Sequence, residues 1–378
     1  MKLSLFLSLL FMGVCHPNFG QTLSYAYLFV GSYTEGKEGY GIHVFKFDES
    51  NGTLTQVEEV SGLINVSFLA ISPNGKYLYA CTEARMNKPG SVSAFSIDSL
   101  SGGLEFINKQ STGGRNPVHV TVGKNNEHVF IANYTDAGVC VFKTNPDGSL
   151  NPSAELIEFQ GSSVIAGRQD ESHLHSSYLS HDNRYVFAPD LGADKIRVLT
   201  FDKDNLLTVS EELEVQTAAG SGPRHFTFHP NDQFAYSIEE LSGNVSAYTY
   251  HRGRLTLIDS YFSYTKQLDT HGAADIHISP DGRFLYASNR MKEENTISIF
   301  EINKKKGTLT LIGHQSTYGD HPRSFVIDPT GKFLLLANQN SGSIIVFKRN
   351  LKTGLLSKTD TEIMLNLPAS LKMRAYSD

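Results

Sequence analysis

Tryptophan is absent, and only three cysteines occur in 378 residues. Cys15 falls in the N-terminal apolar stretch. Cys81 and Cys140 sit on strand-like apolar runs far apart in the chain, so they read as buried free thiols and not as a disulfide or a metal site. No CxxC or HExxH spacing appears, and no serine elbow is evident, so neither a metal, a cofactor nor a nucleophilic serine is expected. An excess of positive charge is also missing. The formal net charge is −6, with 33 Lys and Arg against 39 Asp and Glu, which leaves no basic footprint for nucleic acid. Long apolar runs are lacking except at the very start, MKLSLFLSLLFMGVC. One lysine followed by an apolar stretch from Leu3 to Val14 predicts a secretory signal peptide over 1–20, with Gln21 as the new N-terminus. Val14 is too large for the usual lipoprotein signal before Cys15. The mature protein is therefore expected to be exported, periplasmic or secreted, and free of the membrane after cleavage.

What the chain does have is a repeat. A polar turn between two short strands recurs at Gly75, Asn126, Asn183, Asp232, Gly282 and Gly331, in steps of 51, 57, 49, 50 and 49 residues. A seventh copy stands first and is cut short: Tyr27-Leu28-Phe29-Val30 aligns with Tyr77-Leu78-Tyr79-Ala80. Each copy runs on into a third strand, such as GIHVFKFD, SVSAFSID or SIIVFKRN, and five then turn through Gly-x-Leu into a fourth. Short β-branched and aromatic runs bounded by Gly, Asn, Asp and Pro are strands. Four strands per repeat, seven times, predict an all-β, seven-bladed β-propeller in a single domain, 21–378. The first copy lacks its inner strand, and the tail Leu367-Pro368-Ala369-Ser370-Leu371 resembles the inner-strand openings Asn116-Pro117-Val118 and Gly222-Pro223-Arg224. The tail is expected to close the ring and leave few free edges.

Function is read from the strand ends that meet at one mouth of the tunnel. The second strands end in Ser32, Thr82, Asn133, Asp190, Glu239, Asn289 and Asn338. Polar residues here bond nearby backbone and terminate the ladder, which is the reading for Ser32, Thr82 and the three asparagines. The next column is Tyr33, Glu83, Tyr134, Leu191, Glu240, Arg290 and Gln339. Inner strands open with Val118, His175, Arg224, Ala274 and Arg323, followed by His119, Ser176, His225, Asp275 and Ser324. A turn needs no Arg, His or Glu. Arg224, Arg290 and Arg323 at one mouth make a positive pocket in an acidic protein, a receptor for carboxylate or phosphate. His173 and His175, two apart on one face, are candidates for acid–base work. His119, Asp190, His225 and Gln339 complete the expected substrate contacts. His229, inside a His-Pro-Asn-Asp turn, reads as structural, and His277 fits either role. The 57-residue step places extra residues just before His173, so a loop with Arg168, Asp170 and Glu171 is expected to overhang the mouth.

GPRHFTFHPNDQFAY, DIHISPDGRFLYASNR, PRSFVIDPTGKFLLLANQ and APDLGADKIRV resemble the seven-bladed propeller lactonase family, described as 6-phosphogluconolactonases and, in fungi, carboxy-muconate lactonising enzymes. The resemblance covers 27 to 372. It implies a mouth cluster of one His, two Arg and one Glu, which falls on His175 (with His173 beside it), Arg224, Glu240 and Arg290. It also implies a small-molecule partner, an anionic or sugar lactone; with no serine elbow or metal-ligand cluster evident, hydrolysis by direct water attack is expected. A histidine or Glu240 would be the base, one arginine would stabilise the oxyanion, and the other would join Arg323 on the substrate's charge. The opening Asn65-Val66-Ser67 and the turn Gly123-Lys124-Asn125-Asn126 depart from the family pattern without touching the cluster. The signal peptide fits poorly with a cytosolic sugar phosphate. A non-enzymatic propeller that binds an anionic ligand or a protein partner is the alternative. A monomer is expected, with arginines at strand ends that packing does not require.

Overall fold

The computed structural model describes residues 24–153, 155–202 and 206–377. The expected signal peptide, its cleavage site and Cys15 lie outside the described residues. Seven antiparallel sheets follow one another along the chain. Blade 1 joins Pro368–Ser377 to Ser24–Ser32, Ile42–Phe47 and Leu54–Val60. Blade 2 begins with Phe68–Ile71, blade 3 with Pro117–Val122, blade 4 with Tyr178–Leu179, blade 5 with Pro223–Phe228, blade 6 with Ala273–Ile278 and blade 7 with Pro322–Ile327.

The ring closes as the tail predicts. Pro368–Ser377 is the innermost strand of blade 1, with Phe29 opposite Lys372 and Ala26 opposite Ala375. It packs against the inner strands of blades 7 and 2. All six anchor residues of the repeat adopt left-handed backbone, from φ 57° at Asn183 to 73° at Gly75, which is why Gly, Asn and Asp recur there.

There is no single core. Apolar side chains form a buried cluster at each of the seven blade–blade junctions. Alternation along a strand sends successive side chains to opposite neighbours. In Phe284–Met291 of blade 6, Phe284 and Tyr286 pack against blade 7, and Leu285 and Ala287 against blade 5. Both faces being buried, the strands read as continuous apolar runs.

Blade 4 departs from the expected plan. Its inner strand is only Tyr178–Leu179, and Val215–Gln216 adds a fifth strand. His173 N–H donates to the Asp190 side chain, and a lone bridge, Leu174 to Asp190, replaces the upper ladder. His173 and His175 therefore do not lie on a regular strand.

Among the described residues a repeated latch joins blades at six of the seven junctions. The outer turn expected in five copies occurs in six, at Gly52, Gly102, Gly148, Gly253, Gly307 and Gly354. Each glycine lies against the ring of Phe333, Tyr27, Tyr77, Tyr185, Phe234 or Phe284, respectively, in the preceding blade. Tyr236 and Tyr286 reach further and donate to the carbonyls of Gly307 and Gly354 (2.9 and 2.7 Å). Gly307 has φ 71°, and a Cβ there would overlap Phe234. Gly307→Ala is therefore expected to lower stability by about 1–3 kcal/mol. Gly62→Ala is the control, because φ is 77° there but nothing lies near an added Cβ. Equal melting temperatures for the two variants would show that the latch contributes nothing.

Candidate active site

One mouth of the central channel opens into a cavity of about 280 Å³, lined by Tyr33, Arg85, Asn116, Val118, Tyr134, Arg168, His175, Glu240, Arg290, His321 and Arg323. Strand ends carry most of these residues there. In blades 3, 5, 6 and 7 the inner-strand pairing slips at its first residues, as between Pro223 and His225. A bulge of this kind re-aims side chains. Arg224 turns to Glu240 behind the cavity wall, and His225 lies beside it in the layer below.

Glu240, one residue past Phe234–Glu239, organises the site. Oε2 accepts from Arg224 Nε and Arg290 Nη2, both at 2.9 Å, and Oε1 accepts from Arg168 Nη2 at 2.6 Å. Burial by itself would raise this carboxyl. The charges of Arg290, Arg224 and Arg168 outweigh it and hold Glu240 at about 2. A carboxylate so stabilised is a weak base. Arg224 does not line the cavity: only 1% exposed, it donates to Glu240 and the Ala274 carbonyl behind the cavity wall.

The inserted loop does overhang the mouth. Asp194, fully buried, accepts from Gln169 Nε2 (2.7 Å), Ser163 Oγ (2.5 Å) and the N–H groups of Gly220 and Gly222 (2.6 and 2.7 Å). This one carboxylate ties the loop bearing Arg168 to the segment leading into Arg224.

His175 lines the cavity, is 6% exposed, and has no hydrogen-bond partner at Nδ1. Burial, with Arg224, His225, Arg323 and Arg290 nearby, holds it well below the usual histidine range, so it is neutral at pH 7. Tyr134 sits between the two candidate histidines: His173 stacks on its ring at 4.4 Å, and His175 meets it edge-on at 5.5 Å. His173 lies outside the cavity lining and supports Tyr134.

Four of the expected substrate contacts, His119, Asp190, His225 and Gln339, lie outside the cavity lining. His119 and His225 lie one layer down. His225 Nε2 accepts from Arg224 Nη1 at 3.1 Å while Nδ1–H donates to Asp275 at 2.8 Å. His119 is boxed in by Phe68, Tyr178 and His225. Asp190 is fully buried and taken up by Arg197 and by the N–H groups of His173 and Ala193. Gln339 is buried outside the cavity, although its Nε2 has no partner. His229 is structural as expected, its Nε2–H donating to Gly282 O. His277 is also committed, to Asp275 at 3.2 Å. Asn133, Asn289 and Asn338 each donate from Nδ2 to a backbone carbonyl of an outer segment, at Thr112, Ser263 and Thr317, as ladder terminators should. Cys81 and Cys140 are buried free thiols.

The model of the family described as "Lactonase, 7-bladed beta-propeller" matches residues 27–373. The chain belongs to the seven-bladed β-propeller lactonase family. Among curated members, the 6-phosphogluconolactonase of Formosa agariphila is 46% identical, over 93% of this chain and 100% of its own length. That of Bacillus subtilis is 34% identical, over 91% and 97%. The solved structure of the periplasmic gluconolactonase of Pseudomonas aeruginosa is 32% identical, superposes with a TM-score of 0.87, and is covered over 99% while covering 92% of this chain.

Sequence reasoning about this lactonase overlooked Arg85 and His321, and noted Tyr33, Asn116, Val118 and Tyr134 without selecting them. His321 takes φ 64°, left-handed like Asn65, Asn116, Gly222 and Leu367 at the matching position of four other blades. A histidine in a place that suits Asn or Gly was the available signal. Its Nε2 accepts from Arg290 Nη1 at 3.3 Å, and burial with Arg290, Arg323 and Arg224 holds it at about 3.

Glu240→Gln is expected to behave first as a stability variant. Removing one member of a buried charge network costs about 3–5 kcal/mol, visible in denaturant melts at pH 7. Glu240 has its carboxyl held low by folding, so its contribution is complete above pH 4.5 and fades as pH falls toward 2. The gap between wild type and Glu240→Gln should close over that window. A gap independent of pH would contradict the ion-pair account.

Proposed function

We propose that this lactone hydrolase cleaves an anionic sugar lactone at the mouth cavity by direct attack of water, with His175 as the base. One observation carries the reading most. A small cavity gathers Arg85, Arg168, Arg290 and Arg323 against the single carboxylate of Glu240, beside a buried neutral imidazole. A neutral imidazole accepts the proton as the water oxygen bonds to the lactone carbonyl carbon. The carbonyl electrons move onto oxygen, and Arg290 receives that charge. Among the described residues, Arg290 commits three of its five N–H groups, to Glu240, Gly272 and His321. The ring C–O bond then breaks, and the imidazolium returns its proton to the departing alkoxide, giving the open hydroxy acid.

Burial and the surrounding arginines make His175 a weak base in the free enzyme. A substrate anion and the developing oxyanion offset those charges, so proton affinity rises as the reaction proceeds. Family membership favours this hydrolase over the non-enzymatic binding propeller. Export is part of the proposal. The N-terminal Lys2 and apolar run support it, as does the name of the Pseudomonas relative, a periplasmic gluconolactonase. An exported enzyme would meet a sugar lactone outside the cytosol.

His175→Ala should lower kcat by about 100- to 10,000-fold with little change in KM, while His173→Ala should act mainly through Tyr134 and have a smaller effect. Because the His175 imidazole is depressed, the acid limb of kcat/KM should fall well below pH 6.5, and chelator should leave the rate unchanged. Wild-type turnover in His175→Ala would remove it as the base. Mass spectrometry of protein from the native cell envelope or medium should find a chain starting near Gln21, whereas an intact Met1 on cytoplasmic protein would refute export.

A further inference from the structure

The arginines of the mouth fall into two sets. Arg168, Arg224 and Arg290 all converge on Glu240. Arg85 and Arg323 meet no carboxylate among the described residues and instead share one aromatic ring. The Arg323 guanidinium lies 5.4 Å from the centre of Tyr33, and that of Arg85 lies 4.8 Å from it. Arg323 is only 8% exposed. Its recorded polar contact is with a neutral group, the Tyr33 hydroxyl at 3.2 Å. A guanidinium this buried, with no anion to pair with, is costly to keep and calls for a counter-ion from outside.

Arg85 is placed with equal care although its side chain is exposed. The chain passes through left-handed backbone at Glu83 (φ 62°) and again at Arg85 (φ 59°). Side-chain clamps hold the bend: Asn65 Nδ2 donates to Ala84 O at 2.8 Å, and Arg85 N–H donates to Asn116 Oδ1 at 3.0 Å. Non-glycine residues in this region persist only where the surroundings enforce them, and such places are often functional. Tyr33 is fixed by its own N–H to Leu367 O at 3.0 Å. Beyond Tyr33 and Arg85 a second cavity of about 390 Å³ opens, lined by Glu35, Asn65 and Met86 among others.

We propose that Arg85, Tyr33 and Arg323 form a separate oxyanion subsite. It holds the phosphate or carboxylate that the lactone carries away from its reacting carbonyl, and so selects charged sugar lactones over neutral ones. Two guanidinium forks and a phenol hydroxyl suit a tetrahedral phosphate or a planar carboxylate. This rests on the lactone-hydrolase reading. The division of labour is that Glu240 orients the arginines next to the chemistry, and the unpaired arginines attract the substrate.

The test uses three lactones: phosphorylated gluconolactone, a carboxylate-bearing sugar lactone and neutral gluconolactone. Arg85→Gln is the main variant, since an exposed side chain can be changed without loss of fold, and Tyr33→Phe and Arg85→Lys accompany it. In Arg85→Gln the ratio of kcat/KM for charged over neutral lactone should fall at least about tenfold, with the loss in KM. Arg85→Lys should recover part of it. The charged lactone that loses more identifies the anion. An unchanged ratio would overturn the subsite while leaving lactone hydrolysis standing. If wild type hydrolyses none of the three, that reading fails instead, and calorimetry with inorganic phosphate and with 6-phosphogluconate decides the subsite. Weaker binding by Arg85→Gln than by wild type then supports it, and equal binding by the two overturns it.

Discussion

A carboxylate buried beneath three guanidinium groups is the constraint on which the mouth depends. Glu240 draws Arg168 from an inserted loop, Arg224 from the inner strand of blade 5 and Arg290 from the second strand of blade 6. Without that charge, three cations would repel one another in a space of low dielectric. With it, they form a rigid positive wall whose orientation is set before any ligand arrives. Preorganisation of this sort is what electrostatic stabilisation of an oxyanion requires. The same network runs downward through His225 to Asp275, so the polar layer beneath the cavity is committed to holding Arg224 and not to touching substrate.

Polar order at the mouth is possible because stability comes from elsewhere. Seven apolar junctions and a set of aromatic-on-glycine contacts tie the blades together away from the cavity. Strand ends then tolerate buried charge, left-handed residues and a shortened inner strand in blade 4. Asp194 illustrates the transition between the two regimes. It is fully buried, bonds almost wholly to loop groups, and turns an irregular insertion into a fixed support.

The fold was largely legible in the sequence because its signals are periodic. The turn residues from Gly75 to Gly331 recur at nearly constant spacing, and each obeys a backbone requirement that few residue types meet. Arg290, Glu240, His175 and Arg323 were legible as strand-end residues with no reason to be Arg, Glu or His. What strand columns do not encode is depth. Simple alternation cannot reveal that a bulge at Pro223/His225 leaves Arg224 buried behind the cavity wall, with His225 in the layer beneath it. Asp190 stands at a strand end like the others, but Arg197, seven residues on, claims it. Arg85 lies beyond any strand, and only its backbone geometry brings it over Tyr33.

Pairing of Ser24–Ser32 with Pro368–Ser377 brings together positions about 340 residues apart. Closing a loop of that length costs roughly 2.5 kcal/mol more in chain entropy than closing one of twenty residues, and contacts so distant in sequence form slowly. The seam is therefore the natural last event in folding. It is also where Tyr33 takes its backbone bond from Leu367, with Arg323 arriving from blade 7 and Arg85 from beyond the second strand of blade 2. A ligand held by those three residues would bind only the closed ring. Its binding free energy would be added directly to the stability of the seam, so substrate would act as a clasp on the one joint that the chain must search longest to make.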